Sequence, residues 1–176
     1  MSLYQEKENA MKKILVMLWV VVLAVAVAVP VASAADDMAA KLNTVMSQAP
    51  GAKFWQFTAD EVQAMITAKK TDFVIVDVRP NPAEFGGGHI PGSIQITVQD
   101  IFKPENLKKL PKNKKVILAC VTGQTQNLPV VGLRAMGYDA YTMAFGYSAW
   151  IKGYRGAQIM EQAIQGAASK NYPVQK

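Results

Sequence analysis

The stretch KVILACVTGQTQNLPVVGLRAMGYDAYTMA, residues 115 to 144, decides the fold. Its opening KVILAC, 115–120, is an apolar run with the length and β-branched content of a buried strand. A short polar loop follows. Apolar residues then return at helical spacing from Asn127 to Met136, Gly137 closes that helix, and DAYTMA, 139–144, reads as a further strand. Strand, helix and strand at this pitch make one unit of a parallel sheet. In such sheets ligands sit beyond the carboxyl ends of the strands, where the strand-to-helix loops converge. Cys120, the single cysteine of the chain, is the last residue of the first strand.

Working outward, Phe54–Phe57 reads as a short apolar strand, and Thr58-Ala59-Asp60-Glu61 is a capping box. It opens an amphipathic helix to about Lys69, with Val62, Met65 and Ile66 on one face. FVIVDVR, 73–79, is a second buried strand; NPAEFGGGHIPGS is loop, and SIQIT, 93–97, a short strand. Residues 99–110 are expected to form a helix ended by Pro111. YSAWIKG starts a short helix, and AQIMEQAIQGAAS makes a final one with Ile159, Met160, Ala163, Ile164 and Ala167 along one side. Strands alternating with helices give an α/β domain with a largely parallel sheet flanked by helices. No internal repeat interrupts it.

The 176 residues suffice for one core of ordinary size without disulfide or metal staples. The net charge of +6 is modest. Six lysines fall between Lys103 and Lys115, without the aromatic interleaving of a nucleic-acid binder, so this run reads as a solvated face. At the N-terminus, Lys12 and Lys13 precede an uncharged apolar run from Ile14 to Val31, and Ala32-Ser33-Ala34 supplies small residues at both cleavage-defining positions. This is the pattern of a secretory signal cut before Ala35, with Met11 a second candidate start. The run is long enough to span a bilayer if left uncut, and both alternatives place the domain outside the cytoplasm. The expected division is 1–34 for the N-terminal extension and signal peptide (or membrane anchor), 35–52 for a mobile or loosely helical spacer, 53–155 for the domain and 156–176 for a C-terminal helix and tail.

Exported proteins that use cysteine structurally use it in pairs, so Cys120 is either a buried bystander or a reactive thiol. A loop from Cys120 to Thr125 running straight into a helix can curl its successive N–H groups toward the sulfur, and those dipoles favour a thiolate or a persulfide anion. Gly123 supplies the backbone freedom, and the Thr122 and Thr125 hydroxyls can donate further hydrogen bonds. No cysteine stands at a C-x-x-C distance, which argues against a dithiol. Gln126 occupies the place six after Cys120 where cysteine phosphatases carry an arginine. The single histidine, His89, lies in a Gly-Pro-rich turn, which leaves a Cys-His hydrolase without a base. Sulfur transfer needs only a nucleophilic thiolate and anion-stabilising amides.

At these residues the chain resembles the single-domain rhodanese-like (sulfurtransferase) family over about 54–154. FVIVDVRPNPAEFGGGHIPGSIQI looks like the family's first signature, and ACVTGQTQNLPVVGLRAMGYDA looks like its active-site strand, loop and helix. AFGYSAW is similar to its closing Gly-Gly-x-x-x-Trp element, with Phe145 in place of the first glycine. The resemblance implies a three-layer rhodanese-like domain in which Cys120 carries sulfur as a persulfide, cradled by the amides of Val121, Thr122, Gly123, Gln124 and Thr125. It implies mostly structural roles for Asp77, Arg79, Glu84 and His89, and a core place for Trp150. Partners would be a small sulfur-containing donor and a thiol or cyanide acceptor, with a protein as a further possible acceptor and no nucleic acid. Neither a metal cluster nor a nucleotide fingerprint occurs, so no cofactor is expected. The loop side chains are neutral, so an anionic donor such as thiosulfate would depend on backbone dipoles, Arg79 or the lysine run. The alternatives are a fold-retaining binding or sensing module and, less consistent with the short loop, a phosphatase or arsenate reductase.

Overall fold

The computed structural model describes residues 3–170 and 172–175, of which 3, 4, 10, 14–33 and 168 are described by backbone alone. The chain divides into two compact units, Met1–Asn43 and Thr44–Lys176. The first unit is helical throughout its described part, within helix α1 (Leu3–Gln48), and carries a Lys12–Glu8 ion pair one turn apart. The apolar side chains from Ile14 to Val31 lie outside the described residues, and so does the choice between cut signal and anchor. Among the described residues no helix is long and apolar enough to cross a membrane. Residues 35–48, expected as a spacer, continue α1.

In the second unit, five parallel strands lie in the order β1-β5-β4-β2-β3. They are β1 (Gln56–Phe57), β2 (Phe73–Asp77), β3 (Ile94–Gln95), β4 (Lys115–Ala119) and β5 (Asp139–Met143). β4 is central, paired with β2 from Phe73↔Lys115 to Asp77↔Ala119 and with β5 from Lys115↔Asp139 to Leu118↔Thr142. Side chains alternate across a strand, so the continuous apolar runs of β2 and β4 fill two cores. Val76, Val116, Leu118 and Cys120 meet Val130 and Leu133 of helix α5 (Asn127–Ala135) on one face. Ile75, Ile117 and Ala119 meet Val62 and Met65 of helix α2 (Ala59–Thr67), together with Ile90, Met143 and Tyr147, on the other. The capping box at α2 is formed as expected: Glu61 N–H donates to Thr58 Oγ1 at 3.1 Å and Thr58 N–H to Glu61 Oε2 at 2.7 Å.

Three expectations are corrected. The strand expected from Phe54 shrinks to β1 because Lys53, Phe54 and Trp55 all take left-handed backbone angles, φ 50°, 52° and 55°. The helix expected at 99–110 is broken by Pro104, whose ring cannot follow a helical turn; a 3-10 turn, Val98–Asp100, and a one-turn helix, α4 (Pro104–Leu107), replace it. The loop after β2 contains helix α3 (Ala83–Gly87), and the turn after β5 is a 3-10 helix, Gly146–Ala149. The last helix, α6 (Arg155–Lys170), leaves much of its apolar stripe uncovered, with Ile159 and Ile164 exposed and Met160 half-buried.

Candidate active site

Cys120 stands one residue past the end of β4, on the face of the sheet shared with Leu118 and α5. Its side chain is 1% exposed. The chain then turns through Val121–Thr125 into α5, and among the described residues the N–H groups of Val121, Thr122, Gly123, Gln124 and Thr125 donate to no protein acceptor. The Thr122 and Thr125 hydroxyls likewise have no protein partner there, whereas Asn127 Nδ2 donates to the Gly123 carbonyl at 2.7 Å. A run of uncommitted donors at a strand end has the makings of an anion nest.

Two glycines make the curl feasible. Gly123 has φ 85°, and a Cβ there would stand 2.7 Å from the Phe145 nitrogen; Gly146 has φ 53°, and a Cβ there would overlap the Cys120 carbonyl oxygen. Because the two segments touch by backbone, Tyr147 N–H donates to the Cys120 carbonyl at 2.8 Å, and Ser148 N–H and Oγ both donate to that of Val121, at 3.0 and 2.8 Å. Phe145, between these segments, has φ 60°, a left-handed conformation costing a side-chain-bearing residue about 1–2 kcal/mol. That cost is the physical reason a glycine suits its position.

Gln126 was read from the sequence only as an arginine that is missing. In the structure it is 1% exposed and closes the loop: Cys120 N–H donates to its Oε1 at 2.8 Å, and its Nε2 donates to the Met143 carbonyl of β5 at 2.6 Å. Its signal in the sequence was a neutral double-ended amide just where the loop meets an apolar helix, which is too common a pattern to single out.

Asp77 and Arg79 form a buried pair, with Arg79 Nε and Nη2 donating to the carboxylate at 3.0 and 2.6 Å. Arg79 also donates to the carbonyls of Glu84 and Gly88 and to Tyr154 Oη. Burial works against its charge, but Asp77 and the other acceptors outweigh this and raise its pKa further above the ordinary arginine value. A guanidinium so engaged and 3% exposed is not free for an anionic donor. The pair reaches the cradle through Tyr147, whose hydroxyl donates to Asp77 Oδ2 at 2.8 Å and accepts from Ile90 N–H at 3.0 Å. Burial pushes the Tyr147 phenol well above its usual pKa, so it stays protonated as that donor.

Glu84 is bound by Tyr154 Oη at 2.9 Å and by Arg155 Nη2 at 2.8 and 2.9 Å. Burial pulls its pKa up, but the Arg155 and Tyr154 hydrogen bonds outweigh that and hold it below the usual carboxylate value. His89 is exposed, stacks on Phe85 at 3.9 Å and has Nδ1 3.0 Å from the Phe85 carbonyl, so it locks its own turn. Trp150 is half-buried against the second core. Several lysines of the run are engaged away from the loop. Lys103 pairs with Asp100, Lys115 with Asp72, and Lys112 donates to the Met136 carbonyl. Lys115 opens β4 while Cys120 follows its end, about 16 Å away at 3.3 Å per residue. Backbone dipoles are what remain to receive an anion.

A family model described as the rhodanese-like domain matches residues 58–153. Among solved structures, the chain is similar to a rhodanese-like domain protein of Staphylococcus aureus at 31% identity, covering 56% of this chain and 93% of that one with a TM-score of 0.49. It is similar to a rhodanese-related protein of Thermoplasma volcanium at 26% identity, covering 56% and 93% with a TM-score of 0.48. A Rhodopseudomonas palustris protein of unknown function, described as a possible tyrosine phosphatase, matches at 25% identity, covering 63% and 86% with a TM-score of 0.48. No curated protein matches.

Proposed function

The chain belongs to the rhodanese-like domain family, and from that premise we propose that it is an exported sulfurtransferase or sulfane-sulfur carrier working through a Cys120 persulfide. The observation that carries the reading is the loop itself: one cysteine at the end of a central strand, followed by amides that no protein acceptor uses among the described residues. The Cys120 thiolate attacks the outer sulfur of a sulfane donor. The sulfur–sulfur bond breaks, its electron pair leaves with the rest of the donor, as sulfite when the donor is thiosulfate, and Cys120 keeps the sulfur as a persulfide anion. Cyanide or a thiolate then attacks that outer sulfur, and the bonding pair returns to Cys120. No general base is required. The amides of Val121–Thr125 stabilise the anion before and after transfer, while Asp77 and Arg79 hold the cradle's shape through Tyr147. The proposal of export is supported by Lys12, Lys13, the apolar run and Ala32-Ser33-Ala34, a pattern that fits a domain in the periplasm or tethered at the outer face of the inner membrane.

One observation favours a second reading. With Cys120 almost fully buried, a binding or sensing module would need no access to the sulfur at all. Intact mass spectrometry of the full chain, before and after thiosulfate or a polysulfide, decides between them. A gain of about 32 Da, one sulfur, in the wild type but not in Cys120→Ser, removed by cyanide, is the outcome expected of a carrier. No adduct with either donor on a folded protein leaves the binding module.

A further inference from the structure

Nothing charged in the cradle recruits a small dianion, because Arg79 is fully engaged and Lys115 lies at the far end of β4. Recognition must come from the surface beside the loop. α6 is packed onto it so closely that a Cβ on Gly156 would stand 2.9 Å from a Val121 methyl and 3.0 Å from that of Thr122. Between α6 and the turn after β5 runs an open groove of about 530 Å³, apolar along Phe145, Ala149, Ala157, Met160 and Ile164, with Glu161 its one charged residue. It shares Phe145 and Met160 as walls with a hollow of about 260 Å³ that also carries Gln56, Thr122, Gln124 and Asn127. Thr122 is two residues from Cys120, within about 7 Å along the chain. Phe145 is held left-handed and is 60% exposed, so backbone strain is tolerated at the residue that displays a ring over both compartments.

We propose that this surface is the docking groove for the sulfur acceptor, and that the acceptor is an uncharged, apolar, cysteine-bearing segment of a partner protein. The inference rests on the sulfurtransferase reading and specifies its acceptor. Apolar side chains alternating with backbone amides are the chemistry of an extended peptide, and they match an apolar lining set beside neutral amide and hydroxyl groups. An anionic small molecule would find no counter-ion here. Nor would it need a groove of this size. In the transfer, the acceptor cysteine, having lost its proton to water, attacks the outer sulfur of the Cys120 persulfide as a thiolate. The Cys120–sulfur bond breaks with its electron pair returning to Cys120, and the peptide leaves as the persulfide anion, with charge conserved.

The test loads the full chain with sulfur and compares two short synthetic peptides, one with leucine on each side of a single cysteine and one with aspartate in both places. Cyanide is the reference acceptor. The leucine peptide should be preferred about tenfold in rate relative to the aspartate peptide, and Ile164→Glu and Phe145→Gly should each bring the peptide-to-cyanide ratio down severalfold. Ile164 is 70% exposed, so that substitution tests the surface without disturbing the core. Equal rates for the two peptides, or ratios that neither variant changes, overturn the proposal. So does a concentration-dependent dimer that Ile164→Glu dissolves, since a second copy would then cover the groove. If cyanide also receives no sulfur, the sulfurtransferase reading falls, and binding of the serine analogue of the leucine peptide decides the groove alone. Binding lost in Ile164→Glu keeps it; absence of binding removes it.

Discussion

Replacing Gln126 by leucine isolates the latch that closes the loop. Leucine fills much of the same space but strands Cys120 N–H and the Met143 carbonyl, which now bond Gln126 at 2.8 and 2.6 Å. A buried polar group left without its partner costs about 1–3 kcal/mol, so two cost about 2–6 kcal/mol. The more apolar side chain returns about 1–2 kcal/mol of that by its own burial. The expected net loss is about 3 kcal/mol, or about 6–12 °C in Tm for a chain of this size. Urea unfolding followed by tryptophan fluorescence measures it, and alkylation of Cys120 by iodoacetamide, run on the same samples, reports the loop. Freed from its tie to β5, the loop should open and alkylation should accelerate at least about tenfold. Gln126→Glu restores the acceptor for Cys120 N–H but sets a carboxylate against the Met143 carbonyl. It should lose more stability than leucine at neutral pH and recover as acid protonates it into a donor. A leucine variant within about 0.5 kcal/mol of wild type, with unchanged alkylation, would refute the latch.

Three further outcomes follow from the same geometry. Gly146→Ala drives a Cβ into the Cys120 carbonyl at a left-handed position, so sulfur loading by mass spectrometry should fall to the Cys120→Ser level, with a loss of several kcal/mol in urea. Asp77→Asn leaves Arg79 buried against a neutral partner; about 3–5 kcal/mol should be lost, measured by urea unfolding, although the residue never touches the sulfur. Glu84 has its folded pKa held below the ordinary 4.5, so it stabilises the fold fully above that value and less as pH falls through the depressed one. The stability difference between wild type and Glu84→Gln should accordingly be constant near neutrality and vanish in acid, and a difference that grew on acidification would contradict the pairing with Arg155.

The apolar runs of β2 and β4 and the capping box at α2 were legible because each is local: the period, the length and the cap all lie within a few residues. The place of the candidate cysteine was legible for the same reason, since it follows the strand that opens the βα unit. What could not be read depends on contacts across the sheet. Pro104 was visible, but whether a helix would bend around it or break was not. Three left-handed residues in a row at 53–55 contradict every local preference of lysine, phenylalanine and tryptophan. A mostly structural role for Arg79 could be expected, but not that its donors would go to Glu84, Gly88 and Tyr154 as well as Asp77. The lysine run read as a solvated face, and how far it lies from the site was visible only once β4 put its length between Lys115 and Cys120. Gln126 gains meaning only from Met143, on the neighbouring strand.

Tyr147 also sets a sequence of events in folding. Its hydroxyl joins Ile90 and Asp77, 57 and 70 positions away, while its amide holds Cys120. Contacts that distant carry a high loop-closure entropy and form after helices and neighbouring strands have condensed. We expect the cradle to be among the last parts of the molecule to be assembled. A newly emerged or partly refolded chain has its secondary structure before it has an enclosed sulfur, and its thiol stays open to oxidants during that interval. Pulse alkylation during refolding should find Cys120 as reactive as in the unfolded chain until the slowest phase is complete. On the proposed reading that the domain is exported, the moment of greatest chemical risk to its one cysteine is then its own folding.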